Sequence, residues 1–199
     1  EFCLWNAQDD TTNFQRNYNT GEVEIVTDEK TGAVYHKTEY RERRNHYAFF
    51  SVNSSPDGYD TDRDTFLGKF NGFDNPEAVR RKTSFNEKAS GWAPAAFLRK
   101  DVTLKVGEEI TLVYLLGYVE NDKNDKWEAP NVINKKKATA IINKYRDEKA
   151  VYAELDALKK RWTELLNKFS VKTPDEKFDR TVNIWNQYQC LITYLMSRS

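Results

Sequence analysis

Apolar and polar positions alternate in short stretches through the first two-thirds of the chain, then change to three- and four-residue steps. Residues 22–26 (EVEIV) alternate acid and aliphatic side chains, the period-two mark of a half-buried strand. A turn at 27–32 (TDEKTG) leads back into 33–40 (AVYHKTEY), which pairs naturally as the returning strand. Residues 47–53 (YAFFSVN) are apolar on both faces and predict a central strand. Turn formers crowd 54–64 (SSPDGYDTDRD), and 66–70 reads as a further short strand. The stretch 71–94 is irregular, with one helical turn near 76–80. Residues 96–106 and 109–119 predict a hairpin across Gly107 and Glu108. This pattern is that of an antiparallel β-sandwich.

The polar, Pro-terminated stretch 120–130 (ENDKNDKWEAP) marks a boundary, and helices follow it. Residues 134–145 place Ala138, Ile141, Ile142 and Tyr145 on one face. Val151, Leu155, Leu158, Trp162, Leu165, Leu166 and Phe169 then recur at helical spacing. Thr173-Pro174-Asp175-Glu176 predicts a new helix, with Thr173 as N-cap and Pro174 at the first helical position. That helix carries Phe178, Val182, Trp185, Ile192 and Leu195 on a stripe, and its last third (CLITYLM) is apolar nearly all round. A helix of that kind is expected to enter the interior of something larger. The chain starts without Met inside a strand-like run, so a piece of a longer protein is expected.

Between the opening EFCLW and the first alternating strand lies a connection of unusual length, residues 6–19 (NAQDDTTNFQRNYN). Its amides (Asn6, Gln8, Asn13, Gln15, Asn17), the Arg16 guanidinium and the rings of Phe14 and Tyr18 suit a ligand rich in hydroxyls. The same amides also suit a loop that satisfies only its own turns, and composition alone favours that reading.

Composition narrows the rest. Basic and acidic residues balance at 31 each, so no net field draws nucleic acid or an anionic membrane. No apolar run approaches the roughly 18 residues of a membrane span. Cys3 and Cys190 stand far apart in apolar settings, as expected of buried, reduced thiols in a cytoplasmic protein. His36 and His46 lack partners at ligand spacing, so no metal site is expected. Asp60-Thr61-Asp62-Arg63-Asp64 opens like a calcium loop, but Thr65 and Asn71 occupy the positions that need Gly and Glu; a solvated turn is expected. The basic run 40–44 (YRERR) reads as a solvated strand end, and Trp92 as a lid on a core. No phosphate loop, nucleophile elbow or paired catalytic acids stand out.

The words of the sequence carry more. EFCLWNAQDDTTNFQRNYNTGEVE, YHKTEYRERRNHYAFFSVN, DRDTFLGKFNGFDNP, GWAPAA, LLGYVEN with KWE, VINKKKA, and TPDEK with VNIWNQYQC and MSRS together resemble the cellobiose phosphorylase family of inverting glycoside phosphorylases, collinearly over essentially the whole chain. The resemblance implies part of a β-sandwich at 1–128, a helical linker at 129–172, and the first helix of an (α/α)6 barrel at 173–199. It implies cleavage of cellobiose by inorganic phosphate to α-glucose 1-phosphate and glucose, with no metal or organic cofactor. The general acid would lie beyond Ser199. Within the chain, the matching pair Gln15-Arg16, supported by Asn13, would hydrogen-bond sugar hydroxyls in the partner subunit of a homodimer. Relatives acting on cellodextrin, laminaribiose or diacetylchitobiose, and a non-catalytic carbohydrate-binding or dimerisation module, are the alternatives.

Overall fold

The computed structural model describes residues 20–27, 31–37, 45–92 and 94–197. Its strands and helices, in chain order, are β1 (Thr20–Thr27), β2 (Gly32–Lys37), β3 (His46–Val52), β4 (Gly58–Asp62), α1 (Arg63–Leu67), α2 (Glu77–Arg81), β5 (Ser90–Trp92), β6 (Pro94–Arg99), β7 (Tyr114–Glu120), β8 (Trp127–Ala129), β9 (Val132–Ile133), α3 (Lys136–Tyr145), α4 (Glu148–Leu166), α5 (Glu176–Arg180), a π-helical segment (Thr181–Asn186) and α6 (Gln187–Met196). They fall into two compact units, Glu1–Glu148 and Lys149–Ser199.

The first unit is built on a five-stranded antiparallel sheet in the order β5-β1-β2-β3-β7. The two-sided apolar character of β3 puts it inside the sheet, between β2 and β7. Alternation then sorts the side chains onto two faces. On one face Ala33, Tyr35, Tyr47, Phe49 and Val119 pack with Ile133, Ala138 and Ile142, so α3 and the β8–β9 hairpin cover it. On the other, Val23, Val34, Ala48 and Ala89 pack with Phe50, Ala96 and Leu98, so β6 covers part of it. Tyr35, Phe49 and Gly117 stand in one row across β2, β3 and β7. A Cβ at Gly117 would run into the Phe49 ring, so Gly here lets the aromatic lie across the backbone of β7.

Several expectations need correction. Residues 96–106 and 109–119 do not pair with each other: β6 pairs with β4, and β7 pairs with β3. Alternation reports that a segment is extended, not which strand it pairs with. The turn between them does form, with Glu108 N–H donating to Lys105 O at 3.0 Å and Gly107 at φ +85°. Val102, Leu104 and Val106 on the way to it are exposed. Asn53 extends the β3–β7 pairing instead: its N–H donates to Val113 O at 3.1 Å, and its Oδ1 accepts from Val113 N–H at 2.9 Å. Residues 66–70 are not a strand, because the Asp62 carboxylate accepts from Thr65 N–H at 2.7 Å and starts α1. The third correction concerns the helix start near 173. The N-cap is Asp175, which accepts from Lys177 N–H at 2.9 Å and Phe178 N–H at 3.3 Å. Thr173 turns back to Asp179, donating its N–H and hydroxyl at 2.9 Å each.

In the second unit two amide side chains hold the turn after α4. Gln187 Nε2 donates to Leu166 O and Phe169 O at 3.1 and 2.7 Å. Asn183 bonds both backbone groups of Val171 at 2.8 Å. Trp162 meets Tyr188 with ring centres 6.0 Å apart. Cys190 is exposed, contrary to the buried thiol expected, because no residue of α6 is buried within this chain. Cys3 lies outside the described residues.

Candidate functional site

Asn13, Gln15 and Arg16, with the rest of 6–19, lie outside the described residues, as does 40–44. What the structure does place is the strand that receives the loop. β1 runs between β2 and β5, with Thr20 opposite Trp92, Gly21 opposite Gly91 and Glu22 opposite Ser90.

The acidic run 60–64 is not the solvated turn expected: residues 60–62 belong to β4, with Asp60 and Thr61 buried, because the fold uses these groups as hydrogen-bond acceptors and a cap. Asp60 is buried, and its Oδ1 accepts from Phe85 N–H at 2.5 Å and Asn86 N–H at 3.2 Å. Burial raises its proton affinity, against the opposing pull of those N–H groups and of the Ser84 hydroxyl. Asp62 caps α1, and Asp64 pairs with Arg63 at the surface. The histidines stand apart in the sheet: His36 is buried opposite Ala48, while His46 lies 3.5 Å from Glu120. Among the described residues no three His, Cys, Asp or Glu side chains cluster as a metal site.

Two charged arrangements escape the sequence reading. The first is on the α3-covered face. Glu24 accepts from Ile133 N–H at 2.9 Å and pairs with Lys135 at 2.6 Å and Lys37 at 3.2 Å. Lys135 also reaches Glu128 at 2.8 Å, and Lys37 donates to Asn131 O at 2.7 Å. Burial opposes the ionised Glu24, but Lys135, the Ile133 N–H and Lys37 together hold its carboxyl below the usual value. Glu24 and Ile133 are 109 residues apart, so no local pattern could signal the contact.

The second is a cleft of about 470 Å³ on the other face, between β3, β6, β7 and the α1–α2 excursion. Phe50 stacks on Tyr114 with ring centres 5.8 Å apart, and Phe66 on Phe97 at 3.6 Å. Asp60, Ser84 and Arg99 supply polar groups to the same wall. Arg99 is held by Lys82 O at 3.2 Å and Asp101 at 3.1 Å, yet its buried Nε has no hydrogen-bond partner among the described residues. The turn-rich composition of 54–64 announced a bend here but not the cavity behind it.

Comparison with known proteins adds what the geometry leaves open. The family profile described as Glycosyl hydrolase 94, supersandwich domain, matches residues 1–148. The profile Glycosyl hydrolase 94 superfamily, catalytic domain, matches 161–199. An N,N'-diacetylchitobiose phosphorylase of Vibrio proteolyticus is 30% identical over 152 residues, 76% of this chain and 17% of that protein. A solabiose phosphorylase of Paenibacillus borealis is 30% identical over 144 residues, 72% of the chain and 17% of that protein. A cyclic beta-(1,2)-glucan synthase, NdvB, of Rhizobium meliloti (strain 1021) is 30% identical over 154 residues, 76% of the chain and 5% of that protein. The chain thus spans under a fifth of the length of each. Among the described residues no helix is long and apolar enough to cross a membrane.

Proposed function

The chain belongs to the glycosyl hydrolase 94 family, and from that premise we propose that it is part of an inverting phosphorylase that cleaves cellobiose with inorganic phosphate. The observation that carries the reading is the order of the two family matches, a supersandwich over 1–148 and the opening of a catalytic domain over 161–199. Two relatives named as disaccharide phosphorylases support the reaction class.

In this reading a carboxylic acid of the catalytic domain, beyond Ser199, protonates the glycosidic oxygen while a phosphate oxygen attacks the anomeric carbon from the opposite face. The C–O bond to the leaving glucose breaks as the C–O bond to phosphate forms, giving α-glucose 1-phosphate. Phosphate is already an anionic nucleophile, so the general base of an inverting hydrolase has no task here. No metal or organic cofactor enters. Gln15 and Arg16, with Asn13 in support, bind sugar hydroxyls, the arm reaching a partner subunit in a cytoplasmic homodimer. Residues 1–128 serve as sandwich, 129–172 as helical linker and 173–199 as the first barrel helix.

The test is product analysis with the full-length protein. Phosphate-dependent formation of α-glucose 1-phosphate from cellobiose is expected, and sugar release without phosphate would overturn the reaction class. The names of the relatives favour running diacetylchitobiose and solabiose beside it, because turnover of either in place of cellobiose corrects the substrate and keeps the reaction.

A further inference from the structure

We propose that the aromatic cleft on the β6 face of the sheet is a saccharide-binding site, in addition to the contacts proposed for Gln15 and Arg16. Its volume, about 470 Å³, lies within the roughly 300–1,000 Å³ of small-ligand pockets. The stacked pairs Phe50–Tyr114 and Phe66–Phe97 give it apolar ring faces, which suit the C–H faces of a pyranose. The Ser84 hydroxyl, engaged as donor to Asp60, keeps its lone pairs for a ligand hydroxyl. Arg99 lines the same wall, and its buried Nε–H has no partner among the described residues.

Charge selects the class of ligand. The wall carries mixed charge: Arg99 is already paired with Asp101, and the buried Asp60 carboxylate stands on the same wall as Lys82, so no excess of positive charge marks a phosphate site and a neutral, hydroxyl-rich ring fits better. That the hydroxylated ring is a sugar rests on the family reading above. Asp60 doubles as a brace: by fixing the Phe85 and Asn86 N–H groups it holds the segment that carries Ser84.

The experiment is amide-shift mapping of the 199-residue chain by NMR during titration with cellobiose, diacetylchitobiose and, separately, inorganic phosphate. Saturable shifts at Thr83, Ser84, Leu98, Arg99 and Tyr114 with a sugar, at millimolar affinity, are expected. Tyr114→Ala should weaken binding about tenfold or more. Val79→Trp, at an exposed position of α2 on the cleft wall, should block it while leaving the sheet's spectrum intact. This second variant separates a blocked site from a damaged fold. Shifts confined to 6–19 would overturn the cleft and leave the phosphorylase reading standing. Cleft shifts with phosphate alone, or none with any probe, also sink the proposal. Failure of the full-length protein to make the sugar 1-phosphate of the glycosyl unit cleaved (glucose 1-phosphate from cellobiose, N-acetylglucosamine 1-phosphate from diacetylchitobiose) would count against the phosphorylase reading instead.

Discussion

Gly117 shows how much one missing side chain decides. Its row partner Phe49 fills the space a Cβ would need, and Phe49 is fully buried. Gly117→Ala therefore overpacks the face under α3, and we expect a loss of about 1–3 kcal/mol in chemical denaturation. A midpoint unchanged from wild type would mean that the ring moves aside without cost. The alternating pattern put Gly117 inside a strand, so its place in the sheet was legible. Its reason for being glycine was not, because Phe49 is 68 positions away in sequence and opposite only through the register.

At the scale of elements, β8, β9 and the start of α3 are fastened to the sheet without joining its ladder. Glu24 does much of this, by meeting the Ile133 N–H and two lysines. Glu24→Gln leaves Lys37 and Lys135 with one fewer counter-charge at low exposure, and a cost of about 3 kcal/mol is expected. The pH dependence has a definite sign. A carboxyl held below its ordinary value of 4.5 in the folded state contributes stability above that value and loses it as pH falls through the lower folded value. Asp60 works the other way: its raised value favours the protonated folded form, so its contribution is lost as pH rises through the folded value. Thermal melts from pH 7 down to 3 should accordingly show a shallower acid loss in Glu24→Gln than in wild type; equal slopes would remove Glu24 from the account. Strands β1 to β3 and helices α3 and α4 could be read from periodicity, because burial on one or two faces writes itself into the sequence. The pairing of β6 with β4 and of β7 with β3 could not, since an alternating stretch names no partner. The cap at Asp175 was missed because Thr173 offers the same local signature two residues earlier, and nothing in that signature shows that Thr173 turns to Asp179, six residues on, instead.

At the scale of the whole protein, the family was legible in the words of the sequence, and the order sheet then helices in its composition. The proposed contact with substrate belongs to residues 15 and 16, where the test is kinetic. Arg16→Ala in the full-length protein should raise KM for the disaccharide about tenfold or more, as loss of a charged hydrogen bond does, while the melting temperature holds. Unchanged kcat and KM would remove Arg16 from the site. Asn53 has a consequence of another kind, measured in time. Its amide nitrogen donates to the carbonyls of Arg146 and Thr111 at 3.3 and 3.5 Å while its oxygen accepts from Val113. Deamidation at this one position would replace the donor with a carboxylate oxygen facing two carbonyls, so slow chemical ageing, with no change in any other residue, would loosen β7 and the end of α3 from β3 together.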